Sequence, residues 1–345
     1  MSFLRSAIAA SLLASSAFAA HAQDQVLNLY SARHYQTDEA LYANFTKATG
    51  IRIQRVDADD AGILNRLKTE GAASPADVIL LVDAARLAQA ERDGLFRPFR
   101  SAELEQRIPA QYRATPSAEG SAWWGFSTRA RVIVYNKAAL KREDVDRYEK
   151  LADPKLKGKV CTRSGSHPYN LSLFGALHEH LGAAGLESWL KGVVANMARG
   201  PKGGDTDQIR AVASGECQVA LSNSYYLARL MLSAKPDDQA LVEKVGVVLP
   251  NQDSYGTHMN IAGGAMARHT KNAAAAQKFL EYLASDAAQG YFANGNNEWP
   301  VVSSVRMNNR ALDSMGNFKR ESIPVAAVAG HIGKVQQMLD RVEYK

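Results

Sequence analysis

Cysteine is scarce in this chain, with 2 in 345 residues. So few cannot hold together a small disulfide-built fold, and their spacing matches no zinc pattern. Neither sign of charge dominates: 41 Lys and Arg stand against 35 Asp and Glu, and the net +6 is spread along the whole chain. No basic block and no basic stripe interleaved with aromatics is present, which argues against a nucleic-acid partner. Beyond the first 22 residues no apolar run is long enough to cross a bilayer, so direct membrane insertion is not expected. Catalytic signatures are missing as well. There is no G-x-S-x-G elbow, no H-E-x-x-H and no glycine-rich phosphate loop opening a helix. An exported hydrolase of the paired-carboxylate type, whose carboxylates obey no local spacing rule, is the enzyme alternative that survives, and the chain is read as a non-enzyme.

What is present is a chain of ordinary globular composition, 46% hydrophobic and 22% charged, too long for one hydrophobic core. Disorder and collagen-like repeats are excluded by the same figures. Residues 1–22 read as a secretory signal: Arg5 begins it, an apolar small-residue stretch runs from Ala7 to Ala20, and of the two cleavage patterns that fit, Ala17-Phe18-Ala19 and Ala20-His21-Ala22, the second sets this boundary. The expected product is a soluble monomer in the periplasm. That oxidising compartment favours joining Cys161 to Cys217, each beside a strand-like run; two separate buried thiols is the other reading.

Short apolar strands alternate with capped helices. Val26 to Tyr30 reads as a strand, followed by a helix that starts with Thr37 as N-cap, carries Leu41 and Phe45, and stops at Gly50. Ile51 to Val56 is a second strand, and Ile63, Leu64 and Leu67 lie on a second helix ending at Gly71. Val78 to Val82 suits a buried parallel strand, with a helix from Asp83 to Arg92 after it. Further strands are predicted at Arg131 to Tyr135, Lys159 to Thr162, Gln218 to Leu221 and Val245 to Leu249. Helices are predicted at Asn170 to His180, Leu186 to Met197, Asp207 to Ala213, Tyr225 to Leu232 and Asn272 to Leu283. The pattern is that of an α/β protein, and the lack of a linker predicts two lobes joined by strands.

Ligands of open α/β sheets bind beyond the carboxyl ends of strands. Three such ends carry tyrosine: Ser31-Ala32-Arg33-His34-Tyr35, Ser164-Gly165-Ser166-His167-Pro168-Tyr169-Asn170 and Ser222-Asn223-Ser224-Tyr225-Tyr226. A phenol ionises near pH 10 and needs help to be anionic at neutral pH. Several phenolates together suit a hard trivalent cation, which itself holds them deprotonated. Each tyrosine alone reads more simply as an amphipathic packing residue; their joint placement points to a metal. The other histidines point elsewhere: His178 and His180 would not face one ion, His258 and His269 have no partner at ligand spacing, and His167 reads as a surface loop residue, with a supporting place behind Tyr169 as its other reading. Asp83 reads as a helix N-cap.

The stretches LYSARHYQTDEALYANFTKATGI, SPADVILLVDAARL, FSTRARVIVYNK, GGDTDQIRAVASGECQVALSNSYYLARL and NNEWPVV run in order along nearly the whole chain. In them the chain resembles the bacterial periplasmic ferric-iron-binding proteins of ABC importers, most closely the cyanobacterial branch. That resemblance implies a two-lobe periplasmic-binding-protein clamshell with hinge strands, its first lobe formed by 23–126 and 250–298 and its second by 127–249 and 299–345. It implies Fe(III) as the transported ligand, an inner-membrane ABC permease as partner, and His34, Tyr35, Tyr169, Tyr225 and Tyr226 as metal ligands, with Arg129 beside the metal. Four phenolates and a neutral imidazole around Fe(III) sum to −1, which a guanidinium would offset. Five protein donors make an obligate synergistic anion less necessary and leave a sixth position open for water or citrate. The alternative in the same fold is an organic or oxyanion ligand such as a phosphonate, thiamine or a ferric chelate, held by Arg33, Arg129 and helix N-termini.

Overall fold

The computed structural model describes residues 25–33 and 37–345. The expected signal at 1–22 and the candidate ligands His34 and Tyr35 therefore lie outside the described residues. Val26–Ser31 (β1) buries alternate side chains, then Asp38–Thr49 (α1) buries Leu41, Tyr42 and Phe45 and ends at Gly50 in the left-handed region, φ 74°. Thr37 does not cap this helix. Its backbone is already helical, and its hydroxyl pairs with the Asn296 side chain. Arg52–Asp57 (β2) follows, and then Asp60–Glu70 (α2), capped by Asp59 accepting from the Gly62 N–H at 2.7 Å. Val78–Leu81 (β3) is buried along its length. Asp83 caps Ala84–Arg92 (α3), as its sequence position suggests, by accepting from the Ala85 N–H at 2.8 Å. A short helix, Ala102–Arg107 (α4), leads toward Trp124–Asn136 (β4).

The 13 residues of β4 organise the molecule. At roughly 3.3 Å per residue the strand is about 40 Å long, enough to serve two sheets. Its first half, Trp124 to Ala130, pairs with Met259–Met266 (β8), which pairs in turn with β3, so that β2, β1, β3, β8 and β4 lie side by side. Its second half, Arg131 to Asn136, pairs with Val219–Asn223 (β6) and Val245–Val248 (β7), and Val160–Cys161 (β5) joins β6 in parallel. One continuous strand thus passes from one half of the protein into the other. Arg131 sits at the crossing, its N–H donating to the His258 carbonyl at 3.0 Å.

Around the second half lie Pro168–Asn196 (α5), Asp205–Ser214 (α6), Ser224–Leu232 (α7) and Pro236–Lys244 (α8). A non-helical Gly182 (φ 69°) divides α5, matching the two helices expected there. Ala273–Leu283 (α9) and Asp286–Asn296 (α10) cover the first half. Trp299–Pro300 (β9) pairs with Ser127 and Thr128. The remaining helices are Arg310–Ser314 (α11), Val325–Ala329 (α12) and Ile332–Arg341 (α13). Of these α12 packs on α3 and α5, and α13 on α5. A separate apolar core gathers Phe174, Trp189, Leu190, Val335 and Leu339 in the second half. Cys161 of β5 and Cys217, just before β6, form a disulfide with Cα atoms 5.8 Å apart. Among the described residues no helix is long and apolar enough to cross a membrane.

Candidate metal centre

Tyr169 and Tyr225 both stand in the first turn of a helix that follows a strand. For Tyr169 the turn is made by His167, whose Nδ1 accepts from the Tyr169 N–H at 3.2 Å, and by Pro168, whose missing N–H costs nothing at that position. For Tyr225 the start of α7 is tied to β4, because the Ala130 N–H donates to Ser224 Oγ at 3.2 Å. These two helix starts bring the phenol oxygens of Tyr169 and Tyr225 to 3.1 Å from each other. The Tyr226 ring is 4.2 Å from that of Tyr225, centre to centre, and is partly exposed where the other two are buried. Three of the five expected ligands therefore form one cluster. Helix N-termini favour negative charge, so both first-turn tyrosines occupy a place suited to phenolate.

Arg129 is the cationic neighbour. Its guanidinium carbon is 5.4 Å from the Tyr169 ring centre, Nη2 donates to the Val82 carbonyl, and Nη1 is 3.9 Å from Glu298. Its Nε and Nη1 have no hydrogen-bond partner among the described residues although the side chain is 1% exposed. Burial alone would lower its pKa, but Tyr169, Glu298, Tyr225 and Asp83 around it raise it, so it is charged. Sequence reasoning did not single out two further cations: Arg163 lies 5.1 Å from the Tyr169 ring centre, and Arg229 lies 5.7 Å from that of Tyr226.

Burial pushes the Tyr169 phenol above its ordinary pKa; Tyr226 beside it adds to the effect and Arg129 opposes it. The phenol is neutral unless a stronger positive charge arrives, so a metal ion taken up here would displace protons. His167 is half-buried and edge-on to Tyr169 with ring centres 4.5 Å apart, a helix cap that packs beside Tyr169, which fits the second of its two sequence readings and not the free surface residue of the first. Burial, aided by Arg163, lowers its pKa to about 3, which keeps the ring neutral and able to accept.

Tyr169 also faces a cleft of about 520 Å³, lined by Arg33, Arg55, Asp60 and Val82 on one side and His167 and Pro168 on the other. Ala32 and Arg33 are on this wall, immediately before the undescribed His34 and Tyr35. Arg33 is buried and already engaged, with Nε 2.7 Å from Asp38, Nη2 3.3 Å from Glu298 and its guanidinium 5.0 Å from the Phe292 ring centre. Burial raises the Asp60 carboxyl to about 6 although it accepts from the Val82 N–H at 3.0 Å. Asp83, besides its capping bond, accepts from Asn260 at 2.7 Å, and burial raises its pKa too. Among the described residues no group of three or more His, Cys, Asp and Glu side chains is arranged for a metal, so the described donors that converge are phenols.

A family model described as bacterial extracellular solute-binding protein matches residues 40–312. Iron uptake protein A1 of Synechocystis sp. is 43% identical over 323 residues, which are 94% of this chain and 88% of that protein. A Trichodesmium protein solved in complex with iron and citrate superposes with a TM-score of 0.87 at 46% identity, covering 93% of this chain and all of its own. A ferric binding protein from Campylobacter jejuni gives 0.87 at 36% identity, covering 92% of this chain and all of its own.

Proposed function

The chain belongs to the bacterial extracellular solute-binding proteins, among their ferric-iron-binding periplasmic members, and on that premise we propose that it captures Fe(III) in the periplasm and delivers it to an inner-membrane ABC permease. The iron is cargo, and the protein is not an enzyme. The observation that carries this reading is the 3.1 Å meeting of the Tyr169 and Tyr225 hydroxyls beside Tyr226 and Arg129. Tyr169 lines the cleft, and the buried Arg129 guanidinium lies against its ring. Hard anionic oxygens are the donors a ferric ion selects.

The ligand set is His34 and Tyr35 from one lobe and Tyr169, Tyr225 and Tyr226 from the other. The lobes comprise 23–126 with 250–298, and 127–249 with 299–345, and residues 1–22 are the export signal. The division of β4 between two sets of strands supports a hinge in that strand. Ligands split between lobes complete the coordination shell only when the cleft closes, so iron raises the population of the closed form that the permease recognises. The protein works as a monomer. Commitment of Arg33 to Asp38 and Glu298 counts against an oxyanion ligand gripped by that residue. The sixth position is open to water or citrate, the latter present with iron in the Trichodesmium structure.

Addition of Fe(III) is expected to produce a visible phenolate-to-iron charge-transfer band. The Tyr225→Phe/Tyr226→Phe double variant is expected to lose it while keeping its far-UV circular dichroism. A colourless native protein with one iron bound would overturn the ligand set.

A further inference from the structure

Asp205 opens α6 and is completely buried. One carboxylate oxygen accepts from Arg131 of β4 at 2.5 Å and from the Asn223 N–H at 2.7 Å; the other is 3.0 Å from Arg163. Asn223 is the residue from which α7, with Tyr225 and Tyr226, springs. Arg163 belongs to the loop that leads to Tyr169 and packs against its ring. Arg131 reaches the same loop by a second route, donating to Asn170 Oδ1 at 2.8 Å, and the Asn170 amide donates to the Ser164 carbonyl at 3.0 Å. A single carboxylate therefore joins the stems of both tyrosine-bearing turns to the strand that crosses between the halves.

We propose that Asp205 is the positioning residue of the phenol cluster: by holding Arg131, Arg163 and the Asn223 N–H together it fixes the distance between Tyr169 and Tyr225. It does not touch the ion. Its effect is to set the two phenol oxygens before any ion arrives, so that binding does not have to order them. An uncharged residue at this site would leave the buried guanidinium of Arg131 and the half-buried one of Arg163 without their shared counter-ion, which is costly. Burial works against the charge of Asp205, yet the two arginines hold its pKa below the usual carboxylate range.

The inference rests on the ferric reading for its functional consequence, but its structural core can be tested without metal. The full chain is compared with Asp205→Asn, Arg163→Ala and Asp77→Asn. Asp77 is a matched control, a buried carboxylate of the first half that accepts from the Asn28 N–H, Thr270 and Asn272. In Asp205→Asn the ferric charge-transfer band is expected to shift and weaken, and iron affinity against a competing chelator to fall about 10–100-fold, the range seen for outer-shell partners. Arg163→Ala, which leaves the Arg131 arm in place, is expected to show the same shift with a smaller loss. Asp77→Asn is expected to lower the melting temperature without moving the band. A native band and affinity in folded Asp205→Asn, or in Arg163→Ala should Asp205→Asn not fold, would overturn the proposal, as would an equal shift in Asp77→Asn. Should the unaltered chain itself give no band, the ferric reading fails and a crystal structure of the ion-free variant decides the positioning role. A Tyr169–Tyr225 oxygen separation still near 3.1 Å there would overturn it.

Discussion

On the Tyr169 side of the cleft the donors are held by cross-links between their own stems, whereas the Arg33 side presents charges already matched to one another. The first side has the Cys161–Cys217 disulfide between the strands that feed the two tyrosine turns, and the Asp205 carboxylate between the turns themselves. The second side has Asp38, Arg33, Glu298 and Arg129 in a chain of alternating sign, with Asp60 and Asp83 nearby. The first arrangement fixes where oxygen donors stand. The second chiefly balances charge: each carboxylate in it accepts from an arginine, an N–H or an amide, and Glu298 keeps one oxygen, Oε1, without a hydrogen-bond partner among the described residues, 3.9 Å from Arg129. The lesson is that position and charge are supplied by different walls. Arg129, on the strand they share, is where the two meet.

The sharpest way to break this contrast is to remove the covalent link. Cys161→Ala/Cys217→Ala opens a loop with a sequence separation of 56. The chain-entropy argument gives a loss of about 4 kcal/mol for a loop of that size. Urea unfolding should show that loss, while the folded variant keeps its ferric band, because Asp205 still joins the turns. A variant that folds but stays colourless would transfer the positioning role from the carboxylate to the disulfide.

The strand-to-helix turns that carry the tyrosines were legible in the sequence because each is a local event: an apolar run, a polar turn and a helix start within about ten residues. The early β-α-β-α-β order and Asp83 as a cap were legible for the same reason. Strand β8 was not, since Met259–Met266 contains Gly263 and Gly264, which weaken a strand pattern. Their reason is tertiary: a Cβ on Gly263 would come within 2.6 Å of the Trp124 carbonyl across the sheet. The first half of β4 was missed because Ser127, Thr128 and Arg129 look solvated in sequence yet are buried, the two hydroxyls met by Glu298 and the Trp299 carbonyl and one arginine nitrogen, Nη2, by the Val82 carbonyl. Asp205 and Glu298 escaped notice because their partners lie far away along the chain; Arg131, for instance, is 74 residues from Asp205. Thr37 misled because composition marks a capping residue, whereas the Asn296 side chain took its hydroxyl.

A second way to sharpen the contrast is to titrate the seam between the halves. Glu321 contacts His258, beside the start of β8, and lies 3.4 Å from His180 in α5, which stacks on Tyr255. Burial alone would raise the Glu321 pKa, but His258 and then His180 outweigh it and hold it at about 2, against 4.5 ordinarily. A depressed carboxylate pKa gives stability that is fully present above about pH 4.5 and is lost as pH falls toward 2. The loss from this one group is on the order of 3 kcal/mol, at 1.36 kcal/mol per pKa unit. Unfolding measured between pH 6 and 2.5 should show it, and Glu321→Gln should start from lower stability with a flatter acid limb. An unchanged limb would mean that the seam is not held by this carboxylate.

The smallest effect is expected at Arg129, and it separates the two walls most finely. Arg129→Lys keeps the positive charge but loses the planar fork, which now reaches the Val82 carbonyl and lies against the Tyr169 ring. If this residue only offsets the −1 of a four-phenolate ferric site, lysine should serve nearly as well. If its shape holds Tyr169 in line with Tyr225, iron affinity should drop about 10-fold, near the low end of what outer-shell partners contribute, with a displaced charge-transfer band. The second outcome is expected, because two of its buried nitrogens lack hydrogen-bond partners among the described residues while Nη2 is anchored. A side chain kept in place by one backbone carbonyl and two aromatic or carboxylate neighbours is selected for its geometry, and an ammonium on a flexible stem does not reproduce it. Chelator competition on Arg129→Lys and Arg129→Met together decides the matter, since equal losses in both would assign the role to shape and a loss in methionine alone would assign it to charge.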